Sequence, residues 1–86
     1  MNRVRLTDHA RKRIFRRDIP HRAIWGAVDH PFATRRLPDG REVRTVSATV
    51  RNRRSWVSVV LERISHGHVL VITAYPRARR RMQSTA

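Results

Sequence analysis

The hydrophobic period of this sequence changes once, at His30-Pro31, and that change limits the folds open to the chain. Before it, apolar residues recur at helical spacing, as Leu6, Ala10 and Ile14 do. After it, apolar and polar residues alternate in segments rich in valine, which is typical of β-strands. A chain of 86 residues is a single domain by size. The pattern predicts an α+β domain in the order α-α-β-β-β-β, with two N-terminal helices packed on a four-stranded antiparallel sheet.

Capping residues and prolines predict where the helices begin and end. The side chain of Thr7 or Asp8 can accept hydrogen bonds from the first backbone amides of a helix, which predicts a first helix running to about Arg17. The second helix is predicted from Pro20 to Asp29. Proline suits a first helical position, and the residue after Asp29 precedes another proline, which disfavours helical backbone there.

Four strands are predicted in the second half of the chain. They span Ala33–Leu37, Glu42–Val50, Trp56–Ile64 and Val69–Tyr75. Val4–Leu6 is either a short opening strand or an extended lead-in. Pro76 is expected to end the last strand, so that residues 1–76 form the domain and residues 77–86 a basic tail.

The chain is strongly basic. It has 20 basic and 6 acidic side chains, a formal charge of +14, and every basic residue except Lys12 is arginine. Self-repulsion at that charge opposes compactness, and a bound polyanion relieves it. The codon usage of a GC-rich genome would explain arginine in place of lysine, but not the shortage of Asp and Glu. We therefore expect nucleic acid, and RNA above all, as the natural partner.

The residue types that the chain lacks exclude several kinds of site. There is no cysteine, which excludes disulfides, thiolate metal sites and a cysteine nucleophile. No segment is apolar enough for a signal peptide or for the roughly 20 residues that cross a bilayer, so we expect a cytoplasmic protein with no membrane partner. There is no paired-carboxylate motif and no glycine-rich phosphate loop. We expect no metal and no other cofactor.

Nuclease chemistry in such a chain would have to be metal-independent. That favours RNA, whose 2′-hydroxyl is an internal nucleophile, and it requires a general acid, a general base and cations on the phosphate. His9 and Arg13 lie four residues apart, and Arg17 continues the row, so the three side chains form one ridge on the first helix. Guanidinium groups on this His9 ridge suit phosphate oxygens. A solvated helix face is the alternative interpretation.

The strands supply the remaining candidate residues. The last strand is predicted to show Val69, Val71, Thr73 and Tyr75 on one face and Leu70, Ile72 and Ala74 on the core face. Thr73 and Tyr75 place a hydroxyl and a phenol at the end of the sheet, where they could contact a phosphate or stack on a base. Trp56 follows Arg53 and Arg54, which makes it a candidate for base stacking beside phosphate-binding cations.

The opening and closing segments of the chain resemble those of a known family. They are Leu6-Thr7-Asp8-His9-Ala10-Arg11-Lys12-Arg13, Arg17-Asp18-Ile19-Pro20 and Val71-Ile72-Thr73-Ala74-Tyr75. The first two follow a His-Ala-x-x-Arg … Arg-x-Ile pattern. The likeness covers roughly residues 5–76. The chain resembles a widespread family of small prokaryotic domains that is similar to BrnT and, more remotely, to the RelE/ParE-type toxins. In such proteins helices pack on a small antiparallel sheet.

The resemblance implies a toxin of a type II toxin–antitoxin system that acts as a metal-independent endoribonuclease and is held by an acidic antitoxin. In the matching positions His9 would be the acid or base, and Arg13 and Arg17 would neutralise the scissile phosphate. Thr73 and Tyr75 would position that phosphate, with Tyr75 as a second acid or base. The near absence of lysine departs from the RelE pattern and argues against ribosome-dependent cleavage of the RelE kind.

Two other functions fit the same residues. A non-catalytic RNA- or DNA-binding module would have the same charge and the same salt-dependent affinity, but cleavage would not depend on His9 or Tyr75. A ParE-like inhibitor would act on a protein target such as a topoisomerase, without cleaving RNA.

Overall fold

A five-stranded mixed sheet with two helices on one face makes up the computed structural model, which describes residues 3–78. In chain order the elements are β1 (Arg3–Leu6), α1 (Asp8–Arg16), α2 (His21–Asp29), β2 (Ala33–Arg36), β3 (Glu42–Val50), β4 (Arg53–Ser65) and β5 (His68–Ala78). The order across the sheet is β1-β5-β4-β3-β2. The β2–β3, β3–β4 and β4–β5 pairs are antiparallel, and β1 lies parallel to β5.

The predicted four-stranded antiparallel sheet with two N-terminal helices is wrong, because a strand precedes the helices. β1 pairs with β5 in a register that sets Arg3 opposite His68 and Leu6 opposite Val71. Val4 and Leu6 pack against the core, so even this four-residue strand has an apolar side. A parallel pair requires a long crossover connection, and here the helices and the other three strands provide it.

Both helices bury one apolar face against the same side of the sheet. α1 contributes Ala10 and Ile14, which confirms the apolar stripe predicted from helical spacing, and α2 contributes Ala23, Ile24 and Ala27. The buried strand residues of the same cluster are Val46, Val50, Val57, Val59, Val71 and Ala74. The opposite face of the sheet carries no helix among the described residues.

Thr7 fixes the position of α1 against the sheet. Its side-chain oxygen accepts a hydrogen bond from the backbone N–H of Ala10 at 3.0 Å, so Thr7, of the two predicted candidates Thr7 and Asp8, caps the helix. The same hydroxyl donates to the backbone oxygen of Ile72 at 3.1 Å. One residue therefore both starts α1 and ties it to β5.

β5 contains a bulge that changes which residues face the core. Val60 pairs with Thr73 and Leu61 pairs with Val71, so Ile72 is the extra residue between them. As a result Val69, Val71 and Ala74 share the buried face, and the strict alternation predicted for this strand is wrong. Thr73 and Tyr75 point away from the helices.

β5 also continues past the proline that was expected to end it. Pro76 pairs with Val57, and Arg77 and Ala78 extend the strand. The pairing of β1 stops at Val71, so Pro76 lies in an edge segment, where a missing N–H is tolerated. Of the predicted tail, residues 79–86 lie outside the described part of the chain.

Candidate nucleic-acid interface

The side of the sheet that faces away from the helices presents four of the eight candidate residues: Arg54, Trp56, Thr73 and Tyr75. On β4 the buried Val57 and Val59 face the helices, so Trp56, Ser58 and Val60 project from the other side, because side chains alternate along a strand. We call this surface, which also includes the outward residues of the neighbouring strands, the open face.

One row of residues across the open face consists of three small side chains and a tyrosine. Ala33, Thr45, Ser58 and Tyr75 lie directly opposite one another on β2, β3, β4 and β5. The hydroxyls of Thr45 and Ser58 are 3.5 Å apart, and Ser58 is buried although no helix covers it. Small residues between larger neighbours leave a depression there.

This depression is a cavity of about 250 Å³, which we call the trough. It is lined by Ala33, Thr34, Arg35, Val43, Thr45, Ser58, Tyr75 and Arg77. All eight belong to strands β2 to β5. The trough therefore combines two guanidinium groups, a phenol and three small hydroxyls in one cavity.

An aromatic pair borders the trough. Trp56 lies opposite Arg77 in the sheet, in the row next to Ser58 and Tyr75. The ring of Phe32 lies 4.9 Å from that of Trp56, measured between centroids, with an interplanar angle of 37°. Because Phe32 is 74% exposed, this pair still presents ring surface to solvent.

The arginines of the trough are not neutralised by carboxylates. Within residues 3–78, neither Arg35 nor Arg77 has an ion-pair partner, since the paired acidic side chains contact other arginines. The ion pairs are Arg36–Glu42, Arg44–Glu42, Arg41–Asp39, Arg41–Glu62 and Arg51–Asp18. The open face near Tyr75 is therefore available to an anion.

The His9 ridge lies on α1, outside the trough. His9 is exposed and Arg13 is half-buried. Arg17 donates through Nη1 to the backbone oxygen of Ala74 at 2.8 Å, which holds the end of the ridge beside β5. Tyr75 points to the face without helices, and no α1 residue lines the trough. The structure does not bring His9 and Tyr75 into one cavity.

The remaining predicted residues divide between the two faces. Arg54 and Trp56 lie two residues apart on β4 and share the open face. Arg53 is opposite Val50 and lies on the other face. Thr73 is on the open face, in the row next to Tyr75.

Several residues of the trough were missed by sequence reasoning. Arg77 fell in the predicted tail, and Arg35, Thr45 and Ser58 are ordinary residues of exposed strand faces. They become a group only through the cross-strand register. Phe32 follows a proline and gave no signal of its own.

Metal and membrane features are absent from the described part of the chain. Among residues 3–78 no three His, Asp or Glu side chains come together as potential metal ligands. No helix in this range is long and apolar enough to cross a bilayer.

No protein-family model matches the sequence, and no curated protein or solved structure is significantly similar to it. The relationship to BrnT and the RelE/ParE-type toxins stays a prediction from short motifs.

Proposed function

We propose that this protein binds single-stranded RNA across the open face of its sheet. The observation that carries the proposal is the trough, where a tyrosine and small hydroxyls meet two arginines that have no ion-pair partner among residues 3–78, beside an exposed aromatic pair. The net charge of +14 supplies the long-range attraction to a polyanion.

Aromatic side chains on an open sheet favour a single strand over a duplex. Bases that are not paired can be splayed onto aromatic rings or onto arginine planes, whereas the bases of a duplex are stacked on each other. Trp56, Phe32 and Tyr75 all present ring surface at or beside the trough. The trough of about 250 Å³ is smaller than most ligand pockets, which begin at roughly 300 Å³. We therefore expect it to hold one nucleotide unit of a longer strand.

The polar groups of the trough favour RNA over DNA. Arg35 and Arg77 suit phosphate oxygens. Thr45 and Ser58 are neutral and can both donate and accept, as a ribose 2′-hydroxyl does. A protein distinguishes RNA from DNA by contacts to that hydroxyl.

Equilibrium binding of a fluorescein-labelled single-stranded RNA, over a series of salt concentrations, tests the proposal. Each phosphate contact contributes about 0.7 to the slope of log K against log salt for a single strand. Arg35→Gln/Arg77→Gln should reduce the slope by about 1.4. The control is Arg11→Gln/Arg63→Gln, which removes the same charge away from the trough. Equal losses in both double variants would show diffuse attraction to the whole surface and contradict a site at the trough.

Endoribonuclease activity, which the resemblance implies, is the second candidate function. Tyr75 brings a phenol into a cavity with two arginines, which could provide acid–base chemistry and charge stabilisation. His9 is not part of this cavity. We expect any cleavage in EDTA to leave 2′,3′-cyclic phosphate ends, to fall about 100-fold in Tyr75→Phe and to persist in His9→Ala. The reverse pattern would place the chemistry on the His9 ridge.

A further inference from the structure

A groove lies between α2 and the part of β3 that follows Thr45, and Arg54 of β4 also lines it. β2 pairs with β3 only as far as Thr45, and beyond that point α2 lies next to β3. The cavity is about 730 Å³, within the range of ligand-binding sites. We call it the α2–β3 groove.

The floor of the α2–β3 groove is formed by small apolar residues. Ala23 and Gly26 contribute from α2, and Val46 and Ala48 contribute from β3. A side chain at position 26 would point at the facing strand, since a Cβ built there lies 3.8 Å from Cγ1 of Val46. The absence of that side chain helps to keep the groove open.

The rim of the α2–β3 groove is basic. Arg22, His30 and Arg54 line it and are exposed, and none of its lining residues is acidic. Neither Arg22 nor Arg54 has a carboxylate within ion-pair distance among residues 3–78. A ligand that presents apolar groups to the floor and negative charges to the rim would be complementary to both parts of the groove.

We propose that the α2–β3 groove binds an extended acidic segment of a partner protein. An extended chain places successive side chains on opposite sides, so that one set can reach the apolar floor and the other the arginines. The β3 side of the groove is formed by residues 46–49, which span about 13 Å at strand rise and match about four extended residues. RNA suits the floor less well than a peptide does, because the floor is aliphatic and Phe32 is the only Phe, Tyr or Trp side chain among the described lining residues, so few bases could stack there.

The test uses two labelled peptides and the full protein. The probe is an eight-residue peptide of alternating valine and glutamate, and its control has lysine in place of glutamate. We expect the glutamate peptide to bind and to shift the amide NMR signals of Ala23, Gly26 and Ala48. The lysine peptide should not bind. Shifts confined to α1 around the His9 ridge would overturn the proposal.

Substitutions at the floor and at the rim give independent readouts. Gly26→Leu should lower the affinity for the glutamate peptide at least about tenfold, because the leucine side chain fills the groove. Gly26→Ala should change this affinity less than about twofold. Arg22→Gln/Arg54→Gln should lower the affinity for the glutamate peptide about tenfold, whereas the equal charge loss in Arg11→Gln/Arg63→Gln should have little effect on it. If Gly26→Leu does not fold, the comparison of Arg22→Gln/Arg54→Gln with Arg11→Gln/Arg63→Gln tests the proposal.

A single-stranded RNA titrated in parallel separates the two kinds of polyanion. We expect RNA to shift amides of the trough and to bind Gly26→Leu as it binds the original protein. Loss of RNA binding in Gly26→Leu, without a loss of peptide binding, would assign the groove to nucleic acid and overturn the proposal.

Discussion

Replacement of Arg44 by leucine is expected to destabilise the fold strongly, because this arginine joins the sheet to the end of a helix. Its Nε and Nη2 atoms bind Oε1 of Glu42 at 2.9 and 2.8 Å. Nη1 donates to the backbone oxygen of Val28, in the last turn of α2, at 2.6 Å. Both charged side chains are only 14% exposed.

The size of the effect follows from burial and from what remains after the substitution. Removing one partner of a buried ion pair costs about 3–5 kcal/mol, since the other charge is left without compensation. Here Arg36 stays 3.5 Å from Glu42 and is mostly exposed, so part of the compensation survives. We expect a loss of about 2–3 kcal/mol in the free energy of unfolding. For a domain of this size that corresponds to a fall in Tm of roughly 10–20 °C.

Urea unfolding followed by circular dichroism measures this loss, with a second ion pair as control. Arg41→Leu breaks the pair with Glu62, whose two side chains are 42% and 48% exposed, and should cost only about 0–1 kcal/mol. Glu42→Leu/Arg44→Leu removes both charges and should be more stable than Arg44→Leu alone. An equal loss in Arg41→Leu, or a double variant as unstable as the sum of its single variants, would refute the reasoning.

Three other substitutions test separate parts of the structure. Thr7→Ala should cost about 1–2 kcal/mol, because it removes the cap of α1 and the bond to Ile72, whereas Thr7→Ser should keep both, as urea unfolding will show. Gly26→Ala should stabilise the protein by about 0.5–1 kcal/mol in thermal unfolding, since alanine favours a helix and its Cβ meets Val46 at ordinary contact distance. Trp56→Leu should lower the affinity for single-stranded RNA about tenfold in anisotropy titrations, whereas Trp25→Leu, on α2, should leave it unchanged. Equal effects of the two substitutions would argue against stacking on the open face.

Local signals in the sequence were sufficient to predict the boundaries of the helices, to within a residue or two, and those of one strand. α1 begins after Thr7, one of its two predicted caps, and α2 ends at Asp29, before the predicted break at His30-Pro31. Glu42–Val50 has the predicted bounds. These boundaries depend on side chains and backbone restrictions within a few residues, which is why they can be read from a single chain.

The same kind of local signal does not determine β1. Four residues with two apolar positions fit a strand and an extended lead-in equally well. The choice depends on β5, which is more than 60 residues away and offers its edge only after the rest of the sheet has formed. The parallel pair is therefore a property of the tertiary structure and changes the fold class.

The sequence does contain a trace of the bulge in β5. Val69, Val71, Thr73 and Tyr75 have the same parity, but the first two are apolar and the last two are polar. A strand that buries one face should not change character along that face. The extra residue Ile72 resolves the conflict, because it returns Ala74 to the core and leaves Tyr75 on the open face.

The trough depends on the register between strands, which the pattern of a single strand does not show. Ala33, Thr45, Ser58 and Tyr75 meet because three strand pairings align them in one row. A slip of one residue in any pairing would turn the side chains of that strand to the other face. The two valines that flank Ser58 are fully buried, so such a slip in β4 would place their side chains in solvent. The apolar core thus enforces the alignment that brings the polar residues of the proposed RNA site together.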